Sequence, residues 1–168
     1  MTRARAAAGS LVFLLLAPGV TAGLVPWLLT GWEVDESFAW LPLQLLGALL
    51  IVAGAAVLLH AFARFVIEGI GTPAPVAPPE QLVVGGLYRH VRNPMYVAVA
   101  STIIGQALLF GRPVLLAYAA LFMAMVAAFV RWYEEPTLAE RFGADYAEYR
   151  RAVPGWHPRL HPWRAESS

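Results

Sequence analysis

The chain has 168 residues, of which 59% are hydrophobic and 14% charged, and its mean hydropathy of +0.60 is typical of membrane proteins rather than soluble ones. A formal net charge of +1 argues against the concentrated basic surface that nucleic-acid binding requires. The absence of cysteine excludes disulfides, thiolate metal ligands and cysteine nucleophiles.

Four uncharged apolar stretches predict an all-α, polytopic membrane protein with about four transmembrane helices. The first, residues 10–30, is long enough to cross a hydrocarbon core of about 30 Å. A signal peptide is the alternative for this stretch, although its apolar run continues past any cleavage point. The other predicted helices cover residues 38–59 (extending as far as 65), 96–110 and 113–130. The helix over 96–110 is short for a crossing, which leaves open whether it tilts, stops short or is shielded by protein.

The arginines predict an orientation in the membrane. Three arginine-rich regions precede the first helix, lie between the second and third, and follow the fourth, so four crossings put all three on one side. By the positive-inside rule this side is cytoplasmic. We therefore expect a multi-pass protein of the plasma or inner membrane with both termini in the cytoplasm. Residues 1–67 would hold helices 1 and 2, and residues 68–168 the catalytic region.

Two further segments surround this predicted helical core. The connection over residues 69–86 is rich in Pro and Gly and cannot be one helix, so it is either a linker or a loop that folds over a ligand. Apolar residues recur three or four apart over residues 135–153 and predict an amphipathic helix there. Small residues on helix 2 also permit close approach of a second copy, with the oligomeric state left open; they are Gly47, Ala48, Gly54 and Ala55.

Polar residues concentrate at two places that the helical hairpin brings to one side. The segment Gly-Leu-Tyr-Arg-His-Val-Arg-Asn-Pro-Met-Tyr opens helix 3, and Glu134 and Glu135 follow helix 4. Pro94 suits a first-turn position, which leaves the first-turn amides free for an anionic group. Glu135 can pair with Arg131 four residues earlier, and Glu134 is then the better candidate to face a ligand. Interfacial anchoring by tyrosines and arginines is the alternative interpretation.

Three other polar residues yield weaker expectations. Gln106 lies within helix 3 and is expected to bond another helix, because an unpaired amide is costly in lipid. His60 and His90 are candidate bases, although histidines at helix ends are more often interfacial.

The polar segment, the Glu-Glu-Pro-Thr-Leu stretch, Arg-Phe-Gly-Ala-Asp-Tyr-Ala-Glu-Tyr-Arg-Arg and Val-Pro-Gly-Trp-His-Pro occur in this order. Together they resemble the isoprenylcysteine carboxyl methyltransferase and phospholipid methyltransferase superfamily over about residues 68–160. The signature of that superfamily is Arg-His-Pro-x-Tyr followed by Glu-Glu. This chain matches it except that Asn93 replaces the histidine. Asparagine cannot titrate near neutrality, so any role of that histidine in proton transfer would be absent here.

The resemblance implies an S-adenosylmethionine-dependent membrane methyltransferase that needs no metal. Its acceptor would be a lipophilic molecule, either an isoprenylcysteine-type carboxylate or a phospholipid amine. The cofactor site would form from the Pro-rich loop and the C-terminal amphipathic helix, on the cytoplasmic side. The implied catalytic residues are Tyr96, Glu134 and Arg92, and Arg131 is the nearest candidate for substrate binding. The implied cofactor-binding residues are Glu80, Gln81, Leu82, Val83, Tyr88, Asn93, Pro94, Met95, Tyr96 and Glu134.

Two alternatives to this function are open at this stage. One is a membrane reductase of the sterol-reductase type, which would use a nicotinamide cofactor. The other is a non-enzymatic small membrane protein.

Overall fold

The computed structural model describes residue 9 and residues 12–37, 40–64, 67 and 81–164. The described part of the chain is helical and contains no strand, which confirms the predicted all-α membrane fold. Most of the Pro-rich connection lies outside the described residues. The helices are α1 (Val12–Thr30), α2 (Leu41–Arg64), α3 (Pro94–Phe110), α4 (Val114–Phe129) and α5 (Glu135–Ala152).

Within the described residues, three helical runs are long and apolar enough to cross a membrane: Val12–Thr30, Leu41–Arg64 and Val114–Ala152. The last has 39 residues but is not one straight helix, because Gly143 has a non-helical φ of 52° and the chain kinks there. Glu135 and Arg150 lie on either side of this kink, and their side chains are 3.0 Å apart. The apolar part of the run is α4, and the polar α5 continues beyond the hydrocarbon. The helix predicted over 135–153 is thus present as two helical segments that meet at Gly143, and the first is joined to α4 by the π-helical turn Val130–Glu134 rather than by a loop.

Helix α3 is the centre of the bundle. Eight of its 17 residues are buried, whereas the three long runs are mostly exposed. Among the open interpretations of this short helix, shielding by protein is thus the one the structure supports. The helix begins with Pro94 at its first position and ends at Gly111, whose left-handed φ of 64° closes the turn into α4. The main apolar core joins α3 to α4; its buried members are Val99, Ile103, Ala107, Leu115 and Ala119.

Helices α2 and α3 approach so closely that side chains are excluded between them. A Cβ atom on Gly47 would lie 2.5 Å from the carbonyl oxygen of Gly105 and 2.6 Å from the amide nitrogen of Leu109. Further along α2, Gly54 faces Thr102 in the same way. Rising numbers in α2 meet falling numbers in α3, so the two helices are antiparallel. The glycines considered as contacts with a second copy instead pack α2 on α3 within the chain.

Helix α1 is attached to this core through a π-helical turn, Val20–Leu24. The Tyr118 hydroxyl donates to the Thr21 carbonyl at 2.9 Å, and the Gln106 amide donates to the Ala22 carbonyl at 2.7 Å. The Gln106 side-chain oxygen accepts a bond from the Trp32 indole at 2.9 Å. The prediction that Gln106 bonds another helix is confirmed. These bonds place the second half of α1 beside the end of α3.

Replacing Gly47 with Ala should destabilise the bundle, because the new methyl group meets backbone atoms of α3 that cannot rotate away. We expect a loss of about 1–3 kcal/mol, as for other overpacked cores, measured as a lower melting temperature in detergent. Gly23→Ala is the matched control, since a Cβ there meets nothing within 4 Å. Equal melting temperatures for the two variants would contradict this packing.

Candidate functional site

A pocket lies at the end of the bundle where α1 and α3 begin and α2 and α4 end. It contains about 660 Å³ of empty space, counting its open mouth. One side is polar and is formed by the start of α3, the turn before it and the end of the α4 run. The other side is apolar and is formed by α1, α2 and α4. The polar lining residues are Tyr88, Arg92, Asn93, Tyr96 and Glu134, and the apolar wall includes Phe13, Ala17, Phe62, Val99 and Phe122.

Tyr96 and Glu134 meet at the polar side of the pocket. The Tyr96 hydroxyl donates to a Glu134 carboxylate oxygen at 3.1 Å. Tyr96 lies in the first turn of α3, and Glu134 is the last residue of the π-helical turn after α4. Such a turn holds one more residue than an α-helical turn, which changes the direction in which the following side chains point. This turn presents Glu134 to the pocket.

The neighbouring Glu135 points to a different set of partners. Its two carboxylate oxygens bind the guanidinium groups of Arg92, at 2.7 Å, and Arg150, at 3.0 Å. The Arg92 guanidinium also donates to the Tyr146 hydroxyl at 3.2 Å and to the Val153 carbonyl at 2.9 Å. The expected pairing of Glu135 with Arg131 is therefore wrong. An ion pair with two arginines from other parts of the chain is preferred over the weak pairing of neighbours on one exposed helix face.

Asn93 holds the helix-capping position of α3 but does not cap it. Asparagine at this position usually accepts a bond from the first-turn amides, yet the Asn93 side chain makes no such bond. Its amide nitrogen is buried without a hydrogen-bond partner, and the residue is only 8% exposed. A buried donor without a partner costs about 1–3 kcal/mol, so its place on the pocket wall indicates a site for an acceptor atom.

The segment after α5 fixes the backbone of this polar stretch. The amides of Arg92 and Asn93 donate to the carbonyls of Pro154, at 2.9 Å, and Gly155, at 3.2 Å. The His90 ring nitrogen Nδ1 lies 2.9 Å from the Arg159 carbonyl oxygen, so this candidate base is engaged in holding the segment.

Tyr149 on α5 makes a further bond to the same stretch. Its hydroxyl donates to the Tyr88 carbonyl at 2.7 Å. Burial raises the pKa of the Tyr149 phenol, which keeps it a neutral donor. The polar lining is therefore held from outside the pocket by α5 and by the segment that follows it.

The structure brings seven of the predicted site residues together at the pocket: Tyr88, Arg92, Asn93, Pro94, Met95, Tyr96 and Glu134. The catalytic and cofactor-binding roles of these seven residues stay predictions, and so do the other assignments. Glu80 lies outside the described residues, and Gln81 is exposed. Leu82 packs against the Tyr146 and Tyr149 cluster, and Val83 packs against Ala61 and Tyr88. Arg131 is exposed on the π-helical turn, away from the described pocket lining.

Sequence reasoning did not identify the apolar wall. Phe13, Ala17, Phe62 and Phe122 lie in continuous apolar stretches, where no residue stands out by type or spacing. Only the three-dimensional arrangement of α1, α2 and α4 reveals which of their apolar residues face the pocket.

One family profile, described as phospholipid methyltransferase, matches residues 43–145. The match covers more than half of the chain and contains α3, α4 and the lining residues Tyr88, Arg92, Asn93, Tyr96 and Glu134. The chain belongs to the phospholipid methyltransferase family. Membership implies a methyltransferase that works at a membrane. The comparison with curated proteins found no significant match.

Replacing Glu135 with Gln should destabilise the protein, because Arg92 and Arg150 lose their shared anion. Side-chain exposure is only 14% for Arg92 and 10% for Glu135, so the uncompensated charge is costly and we expect a loss of about 3 kcal/mol. Unfolding by SDS, followed by circular dichroism, measures this loss. Glu140→Gln is the control, since Glu140 is exposed on the same helix. If the two variants unfold alike, the ion pair contributes nothing to stability.

Proposed function

We propose that this protein is an S-adenosylmethionine-dependent methyltransferase that acts on a lipophilic acceptor at the membrane. The observation that carries the proposal is the unpartnered, buried Asn93 amide, which shares the pocket with the Glu134 carboxylate. A hydrogen-bond donor and an anion side by side suit a ligand that presents both an anionic and a cationic group. Family membership supports the same assignment.

The residues at the pocket fit the charged end of this cofactor. The Asn93 side-chain amide and the first-turn amides of α3 would bind its carboxylate, since a helix N-terminus favours anions. Glu134 would face its positive charges. Tyr96 would hold Glu134 in place through the hydroxyl bond. The bound cofactor supplies a methyl group on a positively charged sulfur.

The protein's own contribution to methyl transfer is positioning and exclusion of water. An in-line displacement depends on alignment of donor and acceptor more than on covalent catalysis. Phe62, Val99 and Phe122 present an apolar surface beside the polar groups, which keeps water from the reacting atoms. With an amine acceptor, Glu134 would accept the proton that leaves. With a carboxylate acceptor, no base is required.

The orientation in the membrane follows from the same end of the bundle. The arginine-rich ends of the helices coincide with the end that carries the pocket: Arg64 ends α2, Arg89 and Arg92 precede α3, and Arg131 follows α4. We propose that this end faces the cytoplasm, where the water-soluble cofactor is available. The acceptor would then reach the pocket from the bilayer.

Isothermal titration calorimetry of the detergent-purified protein with S-adenosylmethionine tests the proposal. Wild-type protein should bind, and Asn93→Leu and Glu134→Gln should each weaken binding at least about tenfold, the usual effect of losing a bond to a charged group. Tyr133→Phe is the control variant and should bind as wild-type protein does, because Tyr133 is half exposed, close in sequence to Glu134 and not part of the pocket lining.

Failure of folded wild-type protein to bind the cofactor would refute the proposed function. Equal affinity in wild-type protein and in both pocket variants would refute the proposed location of the site.

A further inference from the structure

Helix α1 contributes to the pocket although it lies outside the family match, which begins at residue 43. Phe13, Ala17 and Thr21 follow one another every fourth residue and line the pocket from one helix face. This face extends about 12 Å along the helix axis. The residues come from a part of the chain that family membership does not account for.

The α1 face is apolar because its polar atoms are engaged elsewhere. The Thr21 hydroxyl donates to the Ala17 carbonyl at 2.7 Å, so it is not directed at a ligand. At the other end of the face, the Phe13 ring stacks on the Phe62 ring of α2, with centroids 6.2 Å apart and planes at 29°. Together with Phe122 these groups form a surface suited to hydrocarbon, and it is continuous with the polar side of the pocket.

Two side-chain hydrogen bonds from the rest of the bundle hold α1 in position. The Tyr118 and Gln106 side chains bind two consecutive carbonyls of the π-helical turn, those of Thr21 and Ala22. A π-helical turn leaves carbonyls available to side chains from neighbouring helices. Both anchoring side chains belong to the family-matched region, so the helix that completes the pocket is held directly by the family core.

On the basis of the proposed function, we propose that the α1 face, defined as Phe13, Ala17 and Thr21, binds the hydrocarbon chain of the methyl acceptor and determines which chains are accepted. The acceptor's reactive group would lie at the polar side, near Tyr96 and Glu134. Its chain would lie between α1 and the aromatic rings of Phe62 and Phe122. A phospholipid and an isoprenoid share this chemistry, and two probes distinguish them.

Photoreactive lipids test the proposal without requiring turnover. Protein in nanodiscs is exposed in separate arms to phosphatidylethanolamine with a diazirine in one acyl chain and to a diazirine-bearing farnesyl cysteine. After illumination, mass spectrometry locates the labelled residues. We expect one probe to label the pocket side of α1 or Phe62. Ala17→Trp should reduce this labelling at least about tenfold, since displacing two methylenes from an apolar site costs that much.

Leu16→Trp is the matched control, because Leu16 is 65% exposed on the outer side of the same helix. It should leave pocket labelling unchanged. Labelling confined to outward residues such as Leu15 and Leu16, or equal labelling in Ala17→Trp and wild-type protein, would overturn the proposal.

Cofactor titration of the wild-type protein separates this proposal from the proposed function. Pocket labelling without cofactor binding in wild-type protein would refute the methyltransferase and with it the role of α1 in acceptor choice. Cofactor binding without pocket labelling would refute only the role of α1.

Discussion

The ion pair between Arg92 and Glu135 is the interaction on which the arrangement of the site depends. It joins the stretch before α3 to the start of α5, and Arg150 and Tyr146 join it from the part of α5 beyond the kink at Gly143. Arg92 also bonds the Val153 carbonyl, which brings in the segment after α5. A guanidinium at a membrane boundary needs such partners, because burying an unpaired charge is very costly. Once Arg92 is satisfied in this way, the residues beside it, Asn93 and Tyr96, are directed to the pocket.

Two π-helical turns, at different places in the bundle, position groups that contact neighbouring helices. In α1 the turn Val20–Leu24 offers carbonyls to Tyr118 and Gln106, and the helix is thereby held beside α3. After α4 the turn Val130–Glu134 ends at Glu134, which faces Tyr96, while the next residue, Glu135, faces Arg92. Because a π-helical turn holds an extra residue, each turn changes which of the following side chains face the neighbouring helices.

The existence of the helices could be predicted from the sequence, because uncharged apolar stretches of this length have few other solutions in a membrane. The mutual positions of the helices could not. Lipid is as apolar as a protein core, so the same residue types occur in both environments. The sequence therefore does not reveal whether a residue such as Phe13 faces lipid or a pocket. The sequence identifies Gly47 as a small residue that permits close approach of two helices, but it does not say whether the second helix is α3 or belongs to another copy of the chain.

The polar site, too, could be predicted from the sequence only in part. Asn93, Tyr96 and Glu134 could be found because polar residues within apolar sequence are conspicuous and because their order resembles a known superfamily. The predicted pairing of Glu135 with Arg131 is wrong for a physical reason. The pairing rule for helix residues four apart describes weak contacts on an exposed surface. The buried guanidinium of Arg92, although distant in sequence, is a stronger partner for the carboxylate.

Asn93 stands where the superfamily that the sequence resembles has a histidine, and asparagine does not titrate near neutrality. The carboxylate of Glu134 is then the titratable group that faces the pocket together with Asn93, and it is hydrogen-bonded by a neutral phenol. Under the proposed function, an acceptor that must lose a proton would pass it to Glu134, whereas a carboxylate acceptor would need no such group. The proposal therefore couples the nature of the methyl acceptor to the state of Glu134 and assigns selection of the hydrocarbon chain separately to the α1 face.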